Sequence, residues 1–267
     1  MQIDVLDKGF VRLVDYMGND ARVVQSARVS YGAGTKTVNE DKGLIDYLIR
    51  HQHSSPFEQV EFTFHIKLPL FVMAQLVRHR TSNLNQMSAR YSIMEDEFYI
   101  PEKIRMQDTK NKQGSLFEEL NDESYFTQLI KKNAEKAYKD YKILIEVGIA
   151  REMARMILPQ NLYTEVYWKQ DLRNLLHLLK LRMDSHAQWE IQQYANAMYD
   201  IIKPIVPYTI ESWERHVLDN LTLSKEEQEI LKRVIGGEDL EIVATEMISS
   251  KGRAREAKDK ISILLGS

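Results

Sequence analysis

From Gln75 to Arg90 the chain reads Gln-Leu-Val-Arg-His-Arg-Thr-Ser-Asn-Leu-Asn-Gln-Met-Ser-Ala-Arg. Arg78, His79, Arg80 and Arg90 fall within thirteen residues, interleaved with Asn83, Asn85, Gln86 and Ser88. No Asp or Glu occurs between Phe62 and Met94, although the chain as a whole is mildly acidic. Guanidinium forks set among amide and hydroxyl donors suit a phosphate or another oxyanion. The same composition also serves a solvated basic surface, or a salt-bridge partner for another subunit. Arg155, Arg173 and Arg182 stand at or beside apolar elements further along. With Asn85, Gln86 and Ser88 they predict a site for ligands bearing phosphates and an amide-like ring. Ser88 and His79 could form a nucleophile and its base. No Gly-x-Ser-x-Gly elbow is present and no Asp orients His79 in sequence, so Ser88 reads as a hydrogen-bonding ligand in preference to a nucleophile.

The totals narrow the chemistry. The 267 residues carry a net charge of −3, with 43% hydrophobic and 28% charged residues, as in an ordinary globular protein of one large domain, or of one domain plus a small appendage. That charge argues against a nucleic-acid coat but not against a local basic site. No apolar run approaches the ~20 residues that span a bilayer, and no secretory leader is visible, so the expected location is the cytoplasm. There is no cysteine. Thiolate catalysis, disulfides and Cys-ligated metals are excluded, and any redox chemistry must come from a bound cofactor. His51 and His53 are two residues apart and do not share a helix face; no metal site is expected.

The elements that must position these residues follow from pattern. Residues 1 to 6 read as a short strand, Phe10 to Met17 as strand or helix, and Asn19-Asp20 as the cap of a helix through Val29. Ser30 to Gly34 reads as a turn, and Asn39 as the cap of the next helix. Val60 to Leu68 alternates: Val60, Phe62, Phe64, Ile66 and Leu68 on one face, Glu61, Thr63, His65 and Lys67 on the other. This predicts a strand with one buried face, antiparallel or at an edge. Pro69 opens a buried helix that delivers Gln75 and Arg78, so the basic stretch is that helix's end and the loop after it. Tyr91 to Ile100 reads as a returning strand and 102 to 121 as a long loop. A helix from the Asp122 cap to Gly148, a short one over Ala150 to Ile157, a strand over Asn161 to Trp168, a helix opened by Asp171, and another over Ala187 to Ile202 complete the order.

From about residue 216 the character changes. Leu221 to Ser267 has no aromatic residue, and Ser224-Lys225-Glu226-Glu227 is a capping box ahead of Ile230, Leu231 and Val234. A three-helix extension is expected, better suited to packing or assembly than to DNA. The fold class is α+β: an antiparallel or mixed sheet packed with helices over 1–215, plus a small helical C-terminal appendage over 216–267.

Arg78-His79-Arg80, Asn85, Ser88 and Arg90 resemble the Arg-His-Arg-x-x-Ser-x-Asn-x-x-Ser-x-Arg signature of flavin-dependent thymidylate synthases. Further pieces resemble the same family in the same order: Ser30; His53 with Ser55-Pro56-Phe57-Glu58; Phe62-Thr63-Phe64-His65; Arg155 with Leu158-Pro159; and Leu181-Arg182 with Ser185-His186-Ala187-Gln188-Trp189-Glu190. The likeness runs from residue 1 to about 215. Two positions depart from it: Asn83 stands for the signature's first Ser, and Asp171 stands where relatives often have Asn.

The resemblance implies reductive methylation of dUMP to dTMP. Methylenetetrahydrofolate is the carbon donor, and FAD, reduced by NADPH, is the hydride source. The absence of cysteine agrees with it, because the other thymidylate synthase family activates uracil by thiolate attack. It implies Arg182 at the uracil ring. It implies Gln75, Arg78, Gln86, Ser88, Ala89, Arg90 and Arg155 around dUMP, with Ser88 and Arg90 on the phosphate side. Arg78, His79, Arg80, Ser55, Gln86, Arg173 and His177 fall to the flavin, with His53 near flavin and folate. It also implies a homotetramer whose sites are shared between subunits.

Overall fold

The structure, a computed structural model, describes residues 1–29, 38–109, 114–118 and 120–266, with the backbone alone at 38–40. Ser30 and the expected turn at 30–34 lie outside the described residues. The chain divides into two compact units, Met1–Trp213 and Glu214–Ser267.

The first unit opens with β1 (Gln2–Val5), β2 (Gly9–Met17), α1 (Asp20–Arg28) and α2 (Val38–Arg50). A 3-10 turn over Ser55–Gln59 leads into β3 (Glu61–Pro69), α3 (Leu70–Leu76) and β4 (Asn83–Gln86). The small pair β5 (Met106–Gln107) and β6 (Ser115–Leu116) precedes the long α4 (Glu123–Glu146) and the short α5 (Arg151–Ala154). Then come β7 (Tyr163–Asp171), α6 (Leu172–Arg182), α7 (Trp189–Ile202) and α8 (Pro207–Trp213).

Five strands form an antiparallel sheet in the order β1-β2-β3-β7-β4. The alternation along β3 is realised: Val60, Phe62, Phe64, Ile66 and Leu68 are fully buried while Glu61, Thr63, His65 and Lys67 between them are not. β3 is central, between β2 and β7, so its polar face rather than its edge position explains the alternation. The apolar face meets α3, α6 and α7, with Val166 and Trp168 of β7 in the same core. At Gly9 the sheet comes close to Tyr194 of α7. A side chain there would collide with the Tyr194 hydroxyl and come within 2.7 Å of the Lys67 carbonyl oxygen. Tyr194 donates to that carbonyl across 2.8 Å, so the space is already taken.

Several elements differ from the sequence pattern, for tertiary reasons. Residues 91–100 form no strand beyond a single bridge between Phe98 and Leu162. Their backbone groups are held from the side instead: Met94 N–H donates to the Tyr141 hydroxyl at 3.2 Å, and Tyr138 donates to the Met94 carbonyl at 2.9 Å. Residues 83–86 pair with β7 as an edge strand inside the stretch read as loop. The expected loop at 102–121 holds the β5–β6 pair among its described residues. Asn39 falls inside α2 and is not its cap. Asp122 precedes α4 in a left-handed conformation and makes no side-chain capping bond. α8 has no strong periodicity of its own. Its first amides are capped from far away by buried Asp20, which accepts from Tyr208 N–H at 2.8 Å, Thr209 N–H at 3.1 Å and the Thr209 hydroxyl at 2.6 Å.

The second unit is the expected three-helix bundle: α9 (Lys225–Ile235), α10 (Leu240–Met247) and α11 (Lys251–Leu265). Its core is Ile230, Val243, Ala244, Ile248, Ala254, Ala257 and Ile261. Ser224 and Glu227 form the capping box reciprocally. No described helix is long and apolar enough to cross a membrane.

Candidate functional site

α3 begins on Pro69, whose fixed φ suits a helix start, and its first amides are taken by the Leu162 and Gln160 carbonyls. Val72, Met73 and Leu76 anchor it, so its C-terminal end is held rigidly. Gln75 is half-buried there, Arg78 and Arg80 are exposed, and His79 turns inward with 8% of its surface accessible. Arg182, the last residue of α6, meets this end. Its Nε–H donates to His79 Nε2 at 2.9 Å and its Nη2 to the Gln75 carbonyl at 3.5 Å.

Accepting that bond requires a lone pair on Nε2, so His79 is neutral with its proton on Nδ1. Burial lowers its pKa to about 4, helped by the Arg182 guanidinium and by the neighbouring His177. Arg182 is itself pushed below its ordinary value by burial and by Arg78. The result is a partly desolvated guanidinium, fixed through one edge, whose remaining donors have no partner among the described residues. Because Nε2 of His79 is occupied, it is not available as a base for Ser88.

A second cluster lies beyond β4. Gln86, Ser88, Ala89, Arg155 and Thr164 line one cavity of about 280 Å³ with Leu70 at its apolar side. β4 pairing with β7 sets Gln86 beside Thr164, and its amide donates to the threonine hydroxyl at 3.1 Å. Ser88 accepts from the Arg90 amide at 3.3 Å and, through its carbonyl, from Tyr91 and Ser92. Arg90 points outward, with Nε 3.4 Å from Glu152. Arg155 is exposed on the 3-10 turn that follows α5.

A third group lines the outer face of α6. Arg173 and His177 are one turn apart and exposed, while Leu172, Leu175, Leu176, Leu178 and Leu179 are buried beneath them. The 3-10 turn that starts at Ser55 packs against this helix, and Glu58 lies 3.7 Å from Arg173. The His177 ring meets His79 edge-on at 6.3 Å, linking this face to the first cluster. His53 stands apart, against Tyr47 and His51.

The fold therefore gathers most of the sequence-selected residues into two adjoining groups and one separate cavity, leaving His53 and the outward-pointing Arg90 outside them. Arg78, Arg80, Arg90, Arg155 and Arg173 are all exposed. The basic stretch is a surface of the chain, with Leu76 and His79 buried within it and His79 the one buried polar residue. The two departures from the signature are also located. Asn83 is exposed at the start of β4, and Asp171 caps α6 by accepting from the Asn174 amide at 2.9 Å. Pattern reading did not connect Thr164 to Gln86, or half-buried Gln75 through Gln188 to buried Glu190. A glutamate between Trp189 and Ile191 on an apolar helix was the available signal.

The chain matches the family profile described as "Thymidylate synthase complementing protein" over residues 12–208. It is 52% identical over 261 residues to the flavin-dependent thymidylate synthase of Thermus thermophilus, covering 98% of this chain and 96% of that one. It is 52% identical over 242 residues to the flavin-dependent thymidylate synthase of Treponema denticola, covering 89% and 91%. The Thermus alignment is too long to exclude the second unit. Among solved structures, the UMP/dUMP methylase PolB of Streptomyces cacaoi bound with 5-Br dUMP is similar, with a TM-score of 0.73 and 32% identity over 80% of this chain and 97% of that one. With its profile match, its full-length relatives and its shared fold, the chain belongs to the flavin-dependent thymidylate synthase family of enzymes.

Proposed function

We propose that this chain converts dUMP to dTMP in de novo nucleotide synthesis. Methylenetetrahydrofolate provides the carbon, and FAD, re-reduced by NADPH, is the flavin. The observation that carries this reading is Arg182, held by His79 and the Gln75 carbonyl with its other donors unspent. With no thiol in the chain, uracil must be activated without thiolate attack. A guanidinium at the ring stabilises the negative charge that develops when N3–H ionises, and so raises the nucleophilicity of C5. Losing a preorganised donor of this kind typically costs on the order of 3 kcal/mol in the barrier.

The donor set fits a flavin dinucleotide. Arg78, Arg80 and Arg173 are cations suited to a diphosphate, and Ser55 and His177 offer hydrogen bonds along the same side of α6. When bound, the flavin supplies the hydride that reduces the transferred carbon. Gln75, Arg78, Gln86, Ser88, Ala89, Arg90 and Arg155 are assigned to dUMP, with Ser88 and Arg90 on its phosphate; His53 is assigned to the flavin and folate side. Only the first unit contributes to this assignment.

The separation of the clusters supports a homotetramer that completes each site from more than one subunit. So do the apolar side chains exposed on α4, α5 and the adjoining turns, among them Ile143, Val147, Met153 and Met156.

The test is anaerobic mixing of FAD-loaded protein with NADPH, dUMP and methylenetetrahydrofolate, followed by dTMP detection. Flavin oxidation coupled to dTMP is the expected result. NADPH never oxidised would leave a nucleotide-binding module. Tight polynucleotide binding with a steep salt dependence, and no dTMP, would leave a nucleic-acid protein.

A further inference from the structure

Behind Gln75 runs a chain of three side chains with a single polarity. Glu190, at the start of α7, has 2% of its surface accessible. Three donors converge on its carboxylate: Arg105 Nη2 at 2.6 Å, the Tyr99 hydroxyl at 3.2 Å and Gln188 Nε2 at 2.9 Å. Arg105 is held in turn over the rings of Trp189 and Phe117, 5.2 and 5.6 Å from their centroids. Gln188 then accepts, through Oε1, from Nε2 of Gln75.

The direction of this chain is forced. A carboxylate only accepts, so Gln188 must turn its NH2 toward Glu190 and its oxygen away. Gln75 must meet that oxygen with its own NH2. Its carbonyl oxygen is then the end left for a ligand, at the same end of α3 where Arg182 is held. An isolated glutamine turns its amide either way at little cost; this one is set by a charge two residues removed.

We propose that Glu190 is a positioning residue that fixes Gln75 as a hydrogen-bond acceptor toward the pyrimidine nucleotide. The proposal rests on the assignment of Gln75 to dUMP. A ligand N–H or O–H would be recognised there, and an acceptor group in its place would be rejected. A buried donor or acceptor left facing its like loses both the bond and its solvation.

Glu190→Gln reverses the chain. Its oxygen stays with Arg105 and Tyr99, its NH2 faces Gln188, both following amides invert, and Gln75 presents a donor. Gln75→Glu in that background restores an acceptor, since the carboxylate takes Gln188's NH2 through one oxygen and offers the other. In the wild-type background the same Gln75→Glu sets two acceptors against each other.

The experiment is calorimetric titration of dUMP into four FAD-loaded proteins: wild type, Glu190→Gln, Gln75→Glu and the double variant. Melting temperature and flavin absorbance are followed in each. We expect each single variant to bind dUMP about tenfold or more weakly, and the double variant to bind more tightly than either. Glu190→Gln binding as tightly as wild type, or a folded double variant no better than the singles, overturns the proposal. Should Glu190→Gln fail to fold, Gln188→Met cuts the chain while keeping the Glu190–Arg105 pair; it should weaken dUMP severalfold, and wild-type affinity there overturns the proposal equally. Wild type that does not bind dUMP at all is a failure of the functional assignment, seen before any variant is compared.

Discussion

Arg182 donates to His79 across 2.9 Å, although the two lie 103 residues apart in the chain. One belongs to the end of α6, the other to the turn after α3. The bond makes each side chain define the other's state: the imidazole must be neutral to accept, and the guanidinium Nε–H must point along the imidazole lone pair. Arg182→Ala should therefore leave a folded, flavin-binding protein with dTMP formation reduced on the order of 100-fold or more. Single-turnover dTMP measurement checks this, and near-normal turnover would remove Arg182 from the chemistry.

The same bond predicts a pH dependence. His79 has its pKa lowered from 6.5 to about 4 in the fold, chiefly by burial. As pH falls through about 6.5 the unfolded imidazole takes up a proton while the folded one does not. The stability tied to neutral His79 is thus complete above that value and lost progressively down to about 4, by up to ~3 kcal/mol. Denaturant titrations across this range should show wild type losing more stability than His79→Gln. Parallel pH curves for the two proteins would refute it.

Ser88 shares its cavity with Gln86, Ala89 and Arg155, and His79 is already engaged elsewhere. Ser88→Ala is expected to weaken dUMP by roughly 1 kcal/mol, about fivefold, while turnover at saturating dUMP persists. Steady-state KM and kcat separate these effects. Abolished kcat with unchanged dUMP affinity would return Ser88 to the role of nucleophile.

Gly9 has no room for a methyl group: the Tyr194 hydroxyl fills the space, and the Lys67 and Val5 carbonyls lie 2.7 and 2.8 Å from the same point. Gly9→Ala should cost roughly 2–4 kcal/mol by overpacking and by displacing the Tyr194 hydrogen bond. Urea unfolding measures it. A Tyr194→Phe background should recover only part of the loss, since both carbonyls remain.

Asp20 accepts from both Thr209 donors and the Tyr208 amide. Asp20→Ala strips the cap from α8 and leaves buried donors unpaired, an expected loss of about 1–3 kcal/mol. Amide exchange should show residues 208–213 opening first. Protection there equal to that of wild type would argue against the cap.

The sequence by itself determined what is local or periodic. The alternation at residues 60–68 sets β3, because a strand's faces repeat every second residue. The caps at Asn19, Asp171 and Ser224 set three helix starts, since each short polar side chain satisfies an amide within three residues. The signature around Arg78–Arg90 marks the family, and the missing thiol rules out one route to uracil activation. Only the tertiary structure decided the rest. That 83–86 is a strand depends on β7, 80 residues later, offering its edge. In 91–100, which is not one, tyrosines of α4 take both backbone groups of Met94. α8 is held by an aspartate nearly 190 residues away. The direction of Gln75's amide depends on a buried carboxylate that no local pattern connects to it. Spacing along a chain reports neighbours on one helix or strand; a donor's partner, and so its chemistry, is settled by what packs across from it.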